Sequence, residues 1–258
     1  MKQEIANAVV TTPIFFDWSF WTAFFAAVAV ILSQLPPIKT WFKQAKIDLE
    51  LYSKISLTHK VGNPNLQLHL LLTNIGGRSI RIKDIVISLS RDGTNLASLP
   101  AQNYLQNQSD KSTLLFTTFS LLPNQEWGHI VNFLNFFDRE EEKKYRNMEK
   151  AINLEILEKK SILEKDSKEL VEASPDKVSP FQELFDEKFV WLAGEYSLKV
   201  KVITDKENVD IEKSYRFTLF EYYEESLRKI TEQYKYGAGT DIYYSPEPLS
   251  VSVDIKET

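Results

Sequence analysis

Hydrophobic and polar residues alternate along several stretches of the chain, and this period of two predicts β-strands. The first alternating run covers 47–57, and the second, at 66–72, has leucine at every other position. A third run, at 80–89, changes phase at Lys83 and Asp84. A β-bulge at that point would return both halves of the run to the same face of a sheet.

The rest of the pattern predicts a mainly β chain. Residues 95–111 are polar and irregular, which indicates a loop. The strands predicted beyond it lie at 112–121, 126–134, 196–202, 209–217 and 249–255. Seven or eight strands joined by turns at short spacing are typical of an antiparallel β-sandwich.

A segment rich in Glu and Lys, at 138–172, interrupts the strands and predicts a long helix or a helical pair. Its apolar residues lie three, four or seven positions apart, with gaps. The helix is either a coil that binds a partner or self-associates, or a helix that lies on the sandwich with a solvated charged face. We favour the second interpretation and expect removal of about 140–172 to leave a folded sandwich. A second helix is predicted at 220–234.

An uncharged apolar run at Trp18–Leu35 predicts a transmembrane helix. Its residues would span about 27 Å, close to the ~30 Å of a hydrocarbon core, and two prolines follow it. A buried core helix and a cleaved signal peptide are the alternatives. The residues expected to anchor the chain in the bilayer are Trp18, Trp21, Phe24, Phe25, Val28, Ile31, Leu32 and Trp41.

Lysines near this run predict its orientation, because the flank richer in Lys and Arg stays in the cytoplasm. Lys39, Lys43, Lys46 and Lys54 follow the run, whereas Lys2 alone precedes it. We therefore expect a single-pass protein of the plasma (inner) membrane with its C-terminal domain in the cytoplasm. The expected divisions are a short N-terminal segment at 1–17, the transmembrane helix at 18–35, a juxtamembrane linker at 36–46 and the β-sandwich domain at 47–258, with its helical insert at about 138–172.

Composition and charge narrow the function classes. The 258 residues carry a net charge of −5 and include no cysteine, which excludes disulfides, thiolate metal sites and a cysteine nucleophile. Residues 1–46 hold four lysines and two acidic residues, so the remainder of the chain carries −7. Nucleic-acid binding needs clustered Lys and Arg, and an acidic body therefore argues against it.

Two stretches resemble known domains at the level of the fold. The run LLTNIGGRSIRIKDIVISLSRDG and the later run AGEYSLKVKV are similar to strand–turn–strand pieces of immunoglobulin-like bacterial domains. The resemblance covers about a third of the chain. It implies a bacterial protein with an immunoglobulin-like sandwich and transfers no functional site, because such sandwiches have many functions.

The residues that could carry chemistry show no spacing typical of a site. The histidines form no helical i, i+4 pair and no HExxH motif; they are His59, His69 and His129. The acidic cluster at 205–210 lacks the glycine of an EF-hand loop. The motifs GxSxG, GxxxxGK[ST] and GxGxxG are absent from the sequence. We therefore expect no enzyme activity, no catalytic residue, no cofactor and no metal site.

Tyrosines around a glycine-rich turn predict a contact surface for a protein partner, since exposed tyrosines anchor many interfaces. They are Tyr234, Tyr236, Tyr243 and Tyr244. The alternative is a loop whose tyrosines cover the edge of the sandwich. The expected function is a membrane-anchored binding or scaffold protein that presents its sandwich to a protein partner. The alternative function is a membrane effector or sensor subunit whose helix oligomerises to perturb the bilayer.

Overall fold

The computed structural model describes residues 18–34, 44–107, 110, 112–163, 170–237 and 249–258. Within them the chain is mainly β. The strands are β1 Ile47–Lys60, β2 Asn63–Asn74, β3 Ile80–Arg91, β4 Thr94–Leu105, β5 Leu114–Leu115, β6 Phe119–Leu121, β7 Glu126–Leu134, β8 Gly194–Thr204, β9 Ile211–Leu219, β10 Val251–Asp254 and β11 Lys256–Glu257. The α-helices are α1 Trp18–Gln34, α2 Arg139–Ile162, α3 Pro175–Lys188 and α4 Glu221–Lys229, and α4 continues as a 3₁₀-helix, Ile230–Tyr236.

The strands form one antiparallel sheet that nearly closes on itself. Their order is β10-β1-β2-β7-β4-β3-β8-β9-β11, with β5 beside β4 and β6 beside β3. Strands β10 and β11 stand at opposite ends of this order, yet only Ile255 separates them in the chain. The last part of the chain therefore pairs with β1 through β10 and with β9 through β11, and it brings the two edges of the sheet together.

This closing segment, residues 251–257, crosses from one edge to the other at an irregularity in β1. The register between β1 and β2 shifts across residues 52–54, which bulge out of the ladder. The amide nitrogen of Ile255 donates a hydrogen bond of 2.8 Å to the carbonyl oxygen of Ser53 in this bulge. Bulges are a common way to bend a strand where its pairing changes.

Ionic contacts hold the other part of the seam, which we define as the line where β1, β9 and the closing segment meet. The Lys213 ammonium on β9 lies 3.7 Å from the Asp48 carboxylate on β1 and 3.5 Å from the Glu257 carboxylate on β11. The Tyr215 side chain is buried beside them, and burial together with these nearby carboxylates raises its pKa to about 12. One lysine thus links both edges of the sheet to the closing segment.

Strand β4 replaces the loop that the sequence predicts at 95–111. It pairs with β3 from Thr94 to Pro100 and with β7 from Ala101 to Leu105. It therefore passes from one half of the sheet to the other at Pro100, whose missing N–H suits an interruption of the ladder. The loop prediction is wrong because a proline and neighbouring polar residues break the alternation.

The apolar faces of the alternating runs fill the interior of the sheet. The predicted bulge in β3 is confirmed, because the register with β8 shifts between Ile82 and Asp84. As a result Ile80 and Ile82, before the shift, are as completely buried as Ile85 and Ile87, after it. A single extra residue thus keeps every isoleucine of the strand in the core.

The helix predicted in the charged segment exists and belongs to the core. Helix α2 begins after Asp138, whose carboxylate accepts hydrogen bonds from the amides of Glu140 and Glu141, and the Glu141 side chain caps Asp138 in return. Its buried residues join the same hydrophobic cluster as the strands; they are Tyr145, Ile152 and Ile156. Helix α3, which the sequence analysis did not predict, packs against α2 and adds Phe181, Leu184 and Phe185 to that cluster. We therefore expect stability to depend on α2, contrary to the sequence-based expectation.

Substitution of Ile156 by valine should destabilise the protein by about 1 kcal/mol, because it removes a methylene group from a filled core. The matched control is Ile162→Val on the same helix, where the side chain is 85% exposed and the loss should stay within about 0.5 kcal/mol. Urea unfolding of both variants measures the difference. Equal losses would show that α2 lies on the domain without contributing to its core.

The predicted transmembrane helix is wrong. Helix α1 has 17 residues and is about 26 Å long, against ~30 Å for a hydrocarbon core. Among the described residues, no helix combines the length and the apolar character needed to cross a membrane. The expected bilayer anchors on α1 therefore do not form a membrane span; they are Trp18, Trp21, Phe24, Phe25, Val28, Ile31 and Leu32.

The predictions that depend on this span are also wrong. A single-pass protein of the plasma (inner) membrane, oriented by lysines with its C-terminal domain in the cytoplasm, requires a membrane-spanning helix, and the described residues contain none. The remaining expected anchor, Trp41, lies outside the described residues, as do the predicted segment 1–17 and positions 36–43 of the predicted linker.

The prediction of an immunoglobulin-like sandwich is also wrong. A sandwich consists of two separate sheets packed face to face. Here β4 and the closing segment each pair with strands of both halves, so the described strands belong to one nearly closed sheet. Local alternation could not predict this result, because it indicates strands without indicating which strands share an edge.

Candidate functional site

A cleft of about 530 Å³ opens on the seam where β9 and β10 diverge. Its narrow end is the pairing of Arg216 on β9 with Lys256 on β11. The apolar side chains of Phe217 and Val253 line it from the core side, and both are almost completely buried. Tyr223 from α4 lines the opposite, wider end. We call this space the seam cleft.

Within the described ranges, main-chain groups on both walls of the seam cleft lack ladder partners. The amide of Thr258 donates a hydrogen bond to the carbonyl of Ser214 on β9. Because the main-chain groups of an antiparallel strand alternate in direction, those of Arg216 and Thr218 also face the closing segment. The amide of Ile255 faces β1, so Asp254 turns its main chain the other way, toward β9. No strand pairing joins β9 to β10 in the part of the chain that the structure describes.

The charged groups of the seam cleft are unequally paired. Each acidic side chain has a partner: Thr218 Oγ1 donates to Glu195 at 2.6 Å, Lys54 lies 3.1 Å from Asp254, and Lys213 lies 3.5 Å from Glu257. The hydrogen bond and the charge of Asp254 raise the pKa of Lys54 above its ordinary value. By contrast, no described acidic group lies within ion-pair distance of Arg216 or Lys256, which are exposed directly opposite each other.

An aromatic rim, defined as Phe220, Tyr222 and Tyr223, borders the seam cleft at the junction of β9 and α4. Phe220 is 52% exposed and Tyr222 is 56% exposed. The Tyr222 ring stacks at 6.2 Å on Phe220 and lies 3.9 Å from the Tyr223 ring. The hydrogen bond with Tyr223 raises the pKa of Tyr222 to about 12. Exposed aromatic groups of this kind supply apolar contact area and a hydroxyl at the same time.

The structure describes two of the four tyrosines that the sequence grouped around the glycine-rich turn, and they have different surroundings. Tyr234 is only 1% exposed and packs against Phe181, and burial raises its pKa above the ordinary value. It therefore offers no surface to a partner in this structure. Tyr236 is partly buried, and its hydroxyl donates to Glu172 at 2.9 Å. Tyr243 and Tyr244 lie outside the described residues.

The three histidines do not converge on one site. His59 is buried and neutral: its Nε2 donates to the carbonyl of Leu227 at 2.9 Å, and its Nδ1 accepts from the amide of Gly62 at 3.1 Å. Burial lowers the pKa of His59 to about 4. His69 lies exposed on the outer face of β2, whereas His129 pairs with a buried residue and faces the interior.

The residues of the seam cleft could not be identified from the sequence alone. Arg216 and Lys256 each lie in an alternating run, where an exposed cation is unremarkable, and only the closure of the sheet brings them together. The sequence does contain one indication of the aromatic rim. Three aromatic residues, Phe220, Tyr222 and Tyr223, lie within four positions of the end of β9, at the start of a helix whose other exposed residues are charged. An aromatic cluster at such a junction is a better indication of an exposed contact surface than a scattered group of tyrosines.

No protein-family model matches the chain, and a search of curated proteins finds no match. The function therefore has to be argued from the chemistry of the site. Across the ranges that the structure describes, no three His, Asp or Glu side chains gather in a way that could hold a metal ion. Among the described residues, the seam cleft offers main-chain groups without strand partners, two cations and an aromatic rim, which together are suited to recognition.

Proposed function

We propose that this protein is a binding or scaffold protein that holds a protein partner at the seam cleft and its aromatic rim. The observation that carries the proposal is the exposure of Phe220 and Tyr222 by more than half, next to a cleft whose walls are incompletely paired strand edges. Aromatic residues are enriched at protein interfaces and often supply most of the binding energy. Strand edges add main-chain hydrogen bonds to such an interface.

The ionisable groups of the seam cleft favour recognition over catalysis. General acid–base chemistry needs groups whose pKa values are shifted by burial within a cavity. Glu195, Asp254 and Glu257 are exposed, and each is already paired. The groups with the largest shifts caused by burial, among them His59 and Tyr234, instead lie in the packed core.

Partner capture from cells that make the protein tests this proposal. We expect the full chain to retain a stoichiometric protein partner, and the double variant Phe220→Ser, Tyr222→Ser to retain at least about tenfold less, because the aromatic anchors are lost. The matched control is Phe136→Ser with Leu115→Ser, since these side chains are 71% and 76% exposed away from the seam cleft. Quantitative mass spectrometry of the captured proteins measures the ratio.

Two results would contradict the proposal. The first is capture that the control reduces as strongly as the aromatic double variant, since binding would then follow general surface hydrophobicity. The second is a complex whose mass is that of two copies of this chain. That result would favour self-association through α2, where Leu154 and Leu157 are exposed.

A further inference from the structure

The two cations at the narrow end of the seam cleft have no acidic partner within ion-pair distance among the described residues. Arg216 and Lys256 are direct cross-strand neighbours, and like charges in that position repel each other. The acidic side chains that line the cleft keep their charges, and among the described residues none lies within ion-pair distance of either cation. Asp254 and Glu257 are ion-paired with Lys54 and Lys213, whereas Glu195 accepts a hydrogen bond from the neutral hydroxyl of Thr218. An anion placed between the two cations would contact both of them directly and reduce the repulsion between them.

The space beside these cations fits a group larger than a simple ion. The seam cleft has a volume of about 530 Å³, and pockets of this size hold small organic ligands or a partner's side chain. Phe217 and Val253 form apolar contacts on the core side, and Tyr223 and Phe220 add aromatic surface at the wider end. The cleft thus combines an apolar body with a cationic end.

We infer that the seam cleft binds an oxyanion carried on an apolar or aromatic body, with the carboxylate or phosphate between Arg216 and Lys256 and the body against Phe217, Val253 and the aromatic rim. An arginine suits such a group because its guanidinium can donate two parallel hydrogen bonds to it. The lysine adds a second positive charge. The inference rests on the proposed function and names the chemistry of the partner's anchoring group.

Four small probes that share a ring and differ in their charged group test the inference. They are benzoate, phenyl phosphate, neutral benzamide and cationic benzylamine, each titrated into the full chain at constant ionic strength. The amide resonances of Thr218 and Val253 report on the two walls. We expect saturable binding of benzoate and phenyl phosphate, at least about tenfold weaker binding of benzamide and no binding of benzylamine. The tighter of the two anions identifies the source as a carboxylate or a phosphate.

Variants assign the effect to the two cations. Arg216→Gln with Lys256→Gln should reduce the affinity for benzoate to that for benzamide, and Arg216→Lys should retain most of it because the charge remains. The matched control is Lys199→Gln with Lys201→Gln, two exposed lysines on the neighbouring strand β8. All four positions are exposed, so we expect the variants to fold as the parent does.

The inference is overturned if none of the probes binds, if benzamide binds as tightly as benzoate, or if the control variant loses as much affinity as the Arg216–Lys256 variant. Its failure is distinguishable from failure of the proposed function. If Phe220→Ser, Tyr222→Ser loses the partner but the protein shows no preference for anions, the protein-binding surface stands and the oxyanion is not its ligand. Intact anion binding without any captured partner would instead contradict the protein-binding function and leave a small-ligand site.

Discussion

Replacement of Gly62 by alanine should destabilise the protein by about 3 kcal/mol or more, whereas Gly93→Ala should cost about 1 kcal/mol. Both glycines occupy hairpin turns with nearly the same positive φ, +82° and +80°. A Cβ atom at Gly62 would lie 2.5 Å from the carbonyl oxygen of Phe185, while at Gly93 it would meet nothing within 4 Å. Backbone strain is therefore common to the two variants, and the steric clash is specific to Gly62.

The clash is costly because the first hairpin is packed against the end of α3. The obstructing atoms belong to the main chain of Phe185 and Phe189, which cannot rotate away as a side chain can. The Gly62 amide also donates to His59, so a shift of the turn would break a buried hydrogen bond. Urea unfolding of both variants measures the comparison. Similar losses would mean that α3 does not press on the hairpin.

Lowering the pH from 7 to 5 should reduce the free energy of unfolding by about 2 kcal/mol through His59 alone. The pKa of His59 is about 4 in the folded protein, against an ordinary value of 6.5. A base with a depressed pKa stabilises the fold fully above 6.5 and loses that contribution as the pH falls toward 4, because the unfolded chain takes up the proton first. Between pH 6.5 and 5 the difference is about 1.5 pKa units, and each unit corresponds to about 1.4 kcal/mol.

Two variants isolate this effect from other titrating groups. The matched control is His69→Gln, which removes an exposed histidine and leaves the surroundings of His59 intact. The variant His59→Gln should be less stable than the parent at pH 7, because Leu227 and Gly62 lose a buried hydrogen-bond partner of the right shape. Its free energy of unfolding should nevertheless lose most of its dependence on pH between 7 and 5. If His59→Gln retains the parent's slope, a different group causes it. An NMR titration that shows His59 protonated near pH 6.5 would also contradict the prediction.

Local pattern was sufficient for much of the secondary structure. The bulge in β3 followed from a single phase change at Lys83 and Asp84, because alternation directly encodes which side of a strand is buried. Helix α2 followed from its Glu- and Lys-rich composition and from the spacing of its apolar residues, although it ends at Ile162, before the predicted limit of 172. Helix α3 was missed because Pro180 lies inside it, and a proline in a helix interior argues against a helix in a simple pattern.

Long-range pairing was not accessible to the same reasoning. An apolar run of about 18 residues satisfied the length rule for a membrane span, but α1 ends at Gln34 and falls short of it. The burial of Tyr234 depends on α3, which places Phe181 against it, and no spacing near Tyr234 indicates that neighbour. Likewise, Arg216 and Lys256 become a site only because the closing segment returns to β9. The candidate site is thus a product of closure.

Closure of the sheet by residues 251–257 has a consequence for synthesis of the chain. Strand β2 is synthesised directly after β1 and can pair with it early. The other neighbour of β1 is β10, which is distant in the chain: Thr58 on β1 donates a hydrogen bond to Leu249, just before β10, across 191 positions. At roughly 5–20 residues per second, translation of that interval takes roughly 10 to 40 s. Throughout it the nascent chain presents an open strand edge, the feature most prone to pairing with other chains. Cellular factors that shield nascent β-structure therefore matter most before the final stretch leaves the ribosome.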